Sequence, residues 1–291
     1  MNYHLRSFKT KSYWVYAFWS TDSLKTFVAV VAGIWTFVDI LDSFKCLDKK
    51  TLSLHWLVPL FLIGIIAVIF TRRPVKKIRY KSPSHDLIIE VCIGDLFKIP
   101  GQKIISTNTT FDTDISSGII SINSLQGQFT QKFYPGDLPK LDKEIELGLQ
   151  GIPYTVITKK SGKTHRYEFG TTIKLKLADQ YFYWFAMSDL NESNTATTTQ
   201  MDVNKSLDGL WAFIETKGEK LDTVIPLIGS GLGRLTTSRK KLIALIAQSF
   251  INASEKRIFS NKLTIVVYPG DIEKSGLNLF EVKDLLGHYL S

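Results

Sequence analysis

Residues 222–234 read Asp-Thr-Val-Ile-Pro-Leu-Ile-Gly-Ser-Gly-Leu-Gly-Arg, an apolar run that empties into three glycines within five residues. The run predicts a buried strand over 222–228, and Thr236, Thr237 and Ser238 are capping candidates for a helix that follows. Glycines at such a junction let the backbone turn sharply and bring its N–H groups close to an anion, with the helix dipole behind them. A phosphate cradle and a plain structural turn both fit, because G-x-G-x-G matches neither the dinucleotide fingerprint nor the Walker A pattern.

Strand signals also lie at 87–93, 103–107, 154–158, 172–178, 181–187 and 262–268. Helical periods run over 201–216, where Leu207, Leu210, Trp211 and Ile214 share a face, and over 238–254, where Leu242, Leu245, Ile246 and Phe250 do. The alternation of strand and helix in the second half predicts an α/β fold with a mixed sheet. Lys81 to Asp86, KSPSHD, reads as a linker. Beyond it, residues 86–291 are enough for one sizeable core.

The chain has 291 residues, 44% hydrophobic and 22% charged, which excludes disordered and low-complexity classes. Two cysteines, Cys46 and Cys92, exclude a disulfide framework. Residues 1–85 hold 13 Lys or Arg against 4 acids, whereas the remainder carries 23 of each, so the entire net charge of +9 lies in the amino-terminal region. That excess surrounds two apolar segments and points to a membrane surface rather than to nucleic acid.

Residues 54–70 carry no formal charge and are followed at once by TRRPVKKIRYK. About 20 apolar residues span a bilayer core, so this segment is just long enough. Residues 24–41, with Asp39 near one end, form the weaker span. Tyr13, Trp14, Tyr16, Phe18 and Trp19 suit an interfacial belt before the first span. The expected layout is a membrane region over 1–82, with transmembrane helices at about 24–41 and 54–70, followed by a soluble domain over 86–291. Lys and Arg flank the pair of spans more densely than they occupy the connection, which predicts both termini and the soluble domain on the cytoplasmic side. A single intramembrane acid, Asp39, gives no polar pathway for a transporter.

A second place that carries chemistry is the strand end Cys92-Ile-Gly94-Asp95, followed by Ser106-Thr-Asn108-Thr-Thr-Phe111-Asp112. A carboxylate there can accept hydrogen bonds from an adenine amino group or a ribose hydroxyl. It can equally cap a helix starting near Leu96. His4, His55, His85, His165 and His288 lack metal-ligand spacing, and no nucleophile signature is present, so no catalytic or metal residue is assigned.

The order of these motifs, a strand ending in Gly94-Asp95, another ending in Thr107-Asn108 and a late strand running into Gly229-Ser-Gly-Leu-Gly233, resembles the macro domain, whose members bind ADP-ribose and its derivatives. With Ser124-Leu-Gln-Gly127-Gln128-Phe129 and the two apolar segments, the whole chain resembles the transmembrane macro-domain effectors of type II Thoeris anti-phage defence. The resemblance implies a two-helix transmembrane hairpin followed by a macro-like three-layer α/β/α domain in the bacterial inner membrane. It implies a signal nucleotide made by a TIR-domain partner, a histidine conjugate of ADP-ribose, whose binding assembles a homo-oligomer that disrupts the bilayer and aborts infection.

The resemblance also implies residue roles. Asp95 meets the adenine end and Asn108 the distal ribose. Gly229, Ser230, Gly231, Leu232 and Gly233 wrap the diphosphate, with Ser124, Gly127 and Gln128 on the other phosphate-facing loop. Arg234 either contacts a phosphate or faces solvent. Macro domains that hydrolyse ADP-ribosyl bonds show N-A-A-N and a glycine triplet. This chain has T-N-T-T-F, and Leu125, Gln126 and Gln128 take the place of the glycine-rich loop. Binding without turnover is the expectation, with no cofactor, and a membrane-anchored ADP-ribosyl hydrolase is the alternative. The segment 154–176, with a turn at Ser161-Gly162, has no place in the minimal macro fold and reads as a surface hairpin or an assembly element.

Overall fold

A computed structural model of the chain describes residues 7–9, 11–46, 56–82, 86–191, 196–228, 237–275 and 277–290. These fall into two compact units, one drawn from Met1–Lys76 with Asn278–Glu281, the other from Lys77–Leu277 with Val282–Ser291.

The first unit contains α1 (Lys11–Trp19), α2 (Thr21–Ser43) and α3 (Leu57–Thr71). Ser20 caps α2, its side chain accepting from the Ser23 amide. At 1.5 Å per residue the 23 residues of α2 extend about 34 Å, more than the roughly 30 Å of a bilayer core. Among the described residues α2 is the one helix long and apolar enough to cross a membrane. The 15 residues of α3 reach only about 22 Å. Of the expected pair of spans, the segment ranked weaker by composition supplies the long helix, whereas residues 54 and 55 of the other lie outside the described residues and its described helix does not confirm a second span. The two helices pack closely, Phe27 against Phe61 at 5.4 Å between ring centroids. A Cβ at Gly64 would lie 2.6 Å from Phe27 Cε2, so the missing side chain makes room for the Phe27 ring.

The second unit is built on β1 (Lys77–Lys81), β2 (Ile88–Ile93), β3 (Gln102–Asn108), α4 (Leu125–Phe133), α5 (Leu138–Leu149), β4 (Tyr154–Val156), β5 (His165–Tyr167), β6 (Thr172–Leu177), β7 (Gln180–Leu190), β8 (Ala196–Thr197), α6 (Gln200–Lys217), β9 (Thr223–Pro226), α7 (Arg239–Ser254) and β10 (Lys262–Val267). The main sheet runs β1-β2-β10-β9-β3-β7-β6, with β8 on β7. Strands β2, β10, β9, β3 and β7 are parallel, and β1, β6 and β8 join them antiparallel. The mixed α/β sheet read from the sequence is present.

Side chains alternate across the pleat and feed two helical layers. On one face Phe182 and Trp184 of β7 meet Phe129 of α4 at 4.9 and 5.2 Å, and Leu141, Ile145 and Leu149 of α5 join the same buried cluster. On the other, Tyr183 meets Phe213 of α6 at 6.2 Å, and Trp211 of α6 packs on Phe250 of α7.

Strand β1 belongs to the sheet although its residues, Lys77-Ile-Arg-Tyr-Lys, were assigned to the membrane region as juxtamembrane charge. Ile78 is buried while Lys77 and Arg79 share the opposite face. There they bracket Glu90 of β2, at 2.9 and 3.3 Å, and the Glu90 side chain is almost wholly buried. Two of the basic residues that suggested a membrane surface are therefore the counter-charges of a buried carboxylate.

Candidate functional site

Five parallel strands present their carboxyl ends along one edge of the sheet, where α/β folds place ligands. Strand β2 ends at Ile93, and the Gly94 amide still donates to Val267 O of β10 at 3.1 Å. Asp95 follows, exposed, with Oδ1 accepting from the Phe97 amide at 3.0 Å. It caps the single 3₁₀ turn Leu96–Lys98, so the capping reading holds. Its second oxygen has no hydrogen-bond partner among the described residues. A carboxylate can thus cap the turn and accept from a ligand at once. A groove of about 320 Å³ beside it is lined by Asp95, Phe97, Gln128, Gln131 and Lys132. Lys132 Nζ lies 5.1 Å from the centroid of the Phe97 ring, a cation–π contact.

Strand β9 ends at Pro226, with the Leu227 amide donating to Val266 O of β10 at 2.8 Å and Leu227 and Ile228 buried. On the far side of the glycines, Ser238 caps α7, its side chain accepting from the Lys241 amide. Gly229, Ser230, Gly231, Leu232, Gly233 and Arg234 lie outside the described residues. The strand before them and the capped helix after them are where the sequence reading puts them.

Asn108 closes β3 and is buried. Its Oδ1 accepts from the amides of Thr110 and Asp112 at 3.2 and 3.1 Å. Its Nδ2 donates to Asp112 Oδ2 at 3.1 Å. The turn that makes this possible carries Phe111 at φ 51°, a left-handed conformation unusual for a bulky residue. Strain of that kind, of order 1–3 kcal/mol, persists where surrounding contacts over-determine the backbone. Phe111 is fully buried against Tyr167.

Asp112, which the sequence reading gave no role, is the hub. Its Oδ2 accepts from the Thr110 hydroxyl at 2.6 Å and from Lys159 Nζ at 2.7 Å, while Oδ1 accepts from the Lys163 amide at 2.6 Å. Both lysines come from the loop joining β4 to β5, the insert read as a surface hairpin. That hairpin is bolted across the end of β3 by further contacts: Lys163 with Asp142 at 2.6 Å, Arg166 with Asp189, and the Tyr167 amide on Thr109 O at 2.9 Å. The only hint of the hub in the sequence is the polar alternation Asn108-x-Thr110-x-Asp112 after a strand. Nothing in it announces Lys159.

Ser124, Gly127 and Gln128 are not on a loop. Ser124 is the N-cap of α4, its Oγ accepting from the Gly127 amide at 3.0 Å and donating to Ser121 O at 2.6 Å. Gly127 is buried inside the helix, where a Cβ would fall 2.3 Å from Ser121 O. Its glycine serves close packing. Gln128 alone of the three joins Asp95 in the groove.

The family model described as Thoeris protein ThsA, Macro domain, matches residues 89–268, from β2 through β10. The chain belongs to the Thoeris ThsA family. A Thoeris protein ThsA from Bacillus amyloliquefaciens (strain Y2) is 26% identical over 273 residues, covering 90% of this chain and 88% of that relative. Coverage that wide takes the likeness beyond the ThsA macro domain into the amino-terminal helices. Among solved structures, the Oceanobacillus iheyensis macrodomain with ADP aligns at a TM-score of 0.47 and 14% identity, covering 74% of this chain and 96% of that one. A mutant of the same macrodomain aligns at 0.48 and 12%, covering 74% and 98%.

Proposed function

We propose that this ThsA protein is an anti-phage defence effector whose macro domain binds an ADP-ribose-derived signal, a histidine conjugate of ADP-ribose made by a TIR-domain partner. Binding drives homo-oligomerisation, and the apolar amino-terminal helices then disrupt the cell membrane and abort the infection. The reading rests on family membership and on one structural observation. Asp95 after β2, the glycine segment after β9 and Asn108 at the end of β3 follow strands that share one sheet edge, in the order β2-β10-β9-β3. Three strand spacings are about 14 Å, a span suited to an extended dinucleotide lying across the strand ends. For the ligand to switch the protein, it must favour the assembled state over the resting one, since equal affinity shifts nothing.

The domain acts as a sensor without turnover. In support, Asn108, the residue a hydrolase would aim at the distal ribose, has its amide committed to Thr110 and Asp112. The test is mass photometry of the full chain in detergent, with and without the conjugate, followed by chromatography of the recovered ligand. Larger assemblies with intact ligand are expected. Release of free ADP-ribose with no change in assembly would make the protein a membrane-anchored hydrolase instead.

A further inference from the structure

Lys103 carries a charge that the fold leaves without a counter-charge. It is the second residue of β3 and only 3% exposed. Its Nζ donates to Gly101 O at 3.2 Å and to Gln180 Oε1 at 3.4 Å, and sits 5.6 Å from the centroid of the Phe182 ring. All of these partners are neutral, and among the described residues no carboxylate lies within ion-pair distance of it. An ammonium has three N–H groups, so one remains unused. Buried charges are normally paired, because an isolated one is costly to take out of water. The chain follows that rule at Lys159, whose side chain is 8% exposed and pairs with Asp112. Burial, and then the nearby Lys132 charge, hold the Lys103 pKa below the ordinary lysine value.

The space beside Lys103 is suited to a ligand. A groove of about 330 Å³ includes Lys103 in its lining, with Phe97, Ile99, Pro100 and Tyr181 as apolar or aromatic walls and Lys98 and Asp179 as further charges. Lys103 stands near the start of β3 and Asn108 ends it, so Lys103 lies about 17 Å along the strand from Asn108. The Lys103 groove meets the Asp95 groove only through Phe97, which lines both.

We propose that this groove is a second binding site, for a small molecule with an oxyanion group, a carboxylate or a phosphate, seated on Lys103 and an apolar or aromatic body against Phe97 and Tyr181. The anion supplies the missing counter-charge and accepts the third N–H, and charge-assisted bonds of this kind are the strong ones. The site is independent of the nucleotide reading, because none of the residues assigned to that ligand takes part in it.

The test titrates the full chain in detergent with benzoate, with inorganic phosphate, and with benzamide as a neutral control of similar shape. Saturable binding of at least one anion is expected, and whichever binds tighter identifies the head group. Benzamide should bind at least about tenfold more weakly, and Lys103→Met should weaken the anion by a similar factor. Asp95→Asn, which keeps the cap on the turn that carries Phe97, should leave the anion unaffected, which separates this site from the nucleotide site. Reductive methylation of the wild-type chain with mass spectrometry keeps the test open if Lys103→Met does not fold: bound anion should protect Lys103 from labelling. No saturable binding of either anion, equal binding of benzamide, undiminished binding by a folded Lys103→Met, or unprotected Lys103 would each overturn the proposal.

Discussion

Lys159 Nζ lies 2.7 Å from Asp112 Oδ2, in a pair whose side chains are 8% and 1% exposed. The two residues are 47 positions apart, and their contact fastens the β4–β5 hairpin over the end of β3. The pair is asymmetric. Asp112 also accepts from the Thr110 hydroxyl, the Asn108 amide and the Lys163 amide, whereas among the described residues Lys159 has only Thr110 besides. Asp112→Ala therefore leaves a buried ammonium with one neutral partner, and removing one member of a buried pair costs about 3–5 kcal/mol. Lys159→Met should cost clearly less. Thermal unfolding of the two variants checks the order, at roughly 2–4 °C per kcal/mol for a domain of this size.

Gly162 turns that hairpin with φ +88°, and a Cβ there would lie 2.4 Å from Asp112 Oδ1. Gly162→Ala thus adds a clash at the hub to the backbone strain of a left-handed alanine. Gly151 has φ +76° with nothing within 4 Å of a Cβ, so Gly151→Ala suffers the strain alone, about 1–2 kcal/mol. Denaturant midpoints should fall further for Gly162→Ala than for Gly151→Ala.

Glu90 holds the edge strand β1 through Lys77 and Arg79. Glu90→Gln keeps the shape and removes the charge, so both cations lose their reason to stay on that face. Hydrogen exchange should show faster exchange of the amides of Lys77–Lys81, with the amides of β3 and β7 unchanged. Equal protection in the variant would show that main-chain pairing with β2 suffices.

The Cys92 thiol is pushed up to about 11, first by burial and then by the Glu90 carboxylate, with Lys77 pulling the other way. Because the thiolate is the reactive form, only about one in a thousand Cys92 side chains is reactive at pH 8. Iodoacetamide should therefore label Cys92 far more slowly than a free model thiol. Glu90→Gln removes a raising influence, so it should speed that labelling. The folded pKa lies above the unfolded value, so the protonated thiol favours the fold at neutral pH, and stability should decline as pH rises from about 9 toward 11.

Much of the sheet was legible because its strands are dense in β-branched and aromatic residues that alternate or run unbroken, as in 181–187 and 262–268. Strand β1 was not, since Lys-Ile-Arg-Tyr-Lys next to an apolar segment carries the charge signature of a membrane flank, and its counter-charge, Glu90, lies in the next strand beyond the Lys81–Asp86 linker. Helix α4 stands where the resemblance implied a phosphate-facing loop; Gly127 and three glutamines blur its period, although Ser124 is an ordinary cap. The second apolar segment is described as a helix only from Leu57 to Thr71, which leaves the second span unconfirmed. Within the candidate site, Asp95 and the strand before the glycines were readable from strand-end position. The hub was not, because a buried ion pair between a turn and a distant hairpin leaves no spacing to find.

The most direct test of the central claim is calorimetric titration of the full chain in detergent with ADP-ribose and with its histidine conjugate, on the wild type and on Asp95→Ala. Saturable binding is expected, tighter for the conjugate and weakened at least about tenfold by Asp95→Ala, because an acceptor for a ligand N–H is removed. Absence of binding to either nucleotide, or binding that Asp95→Ala leaves unchanged, would contradict that claim.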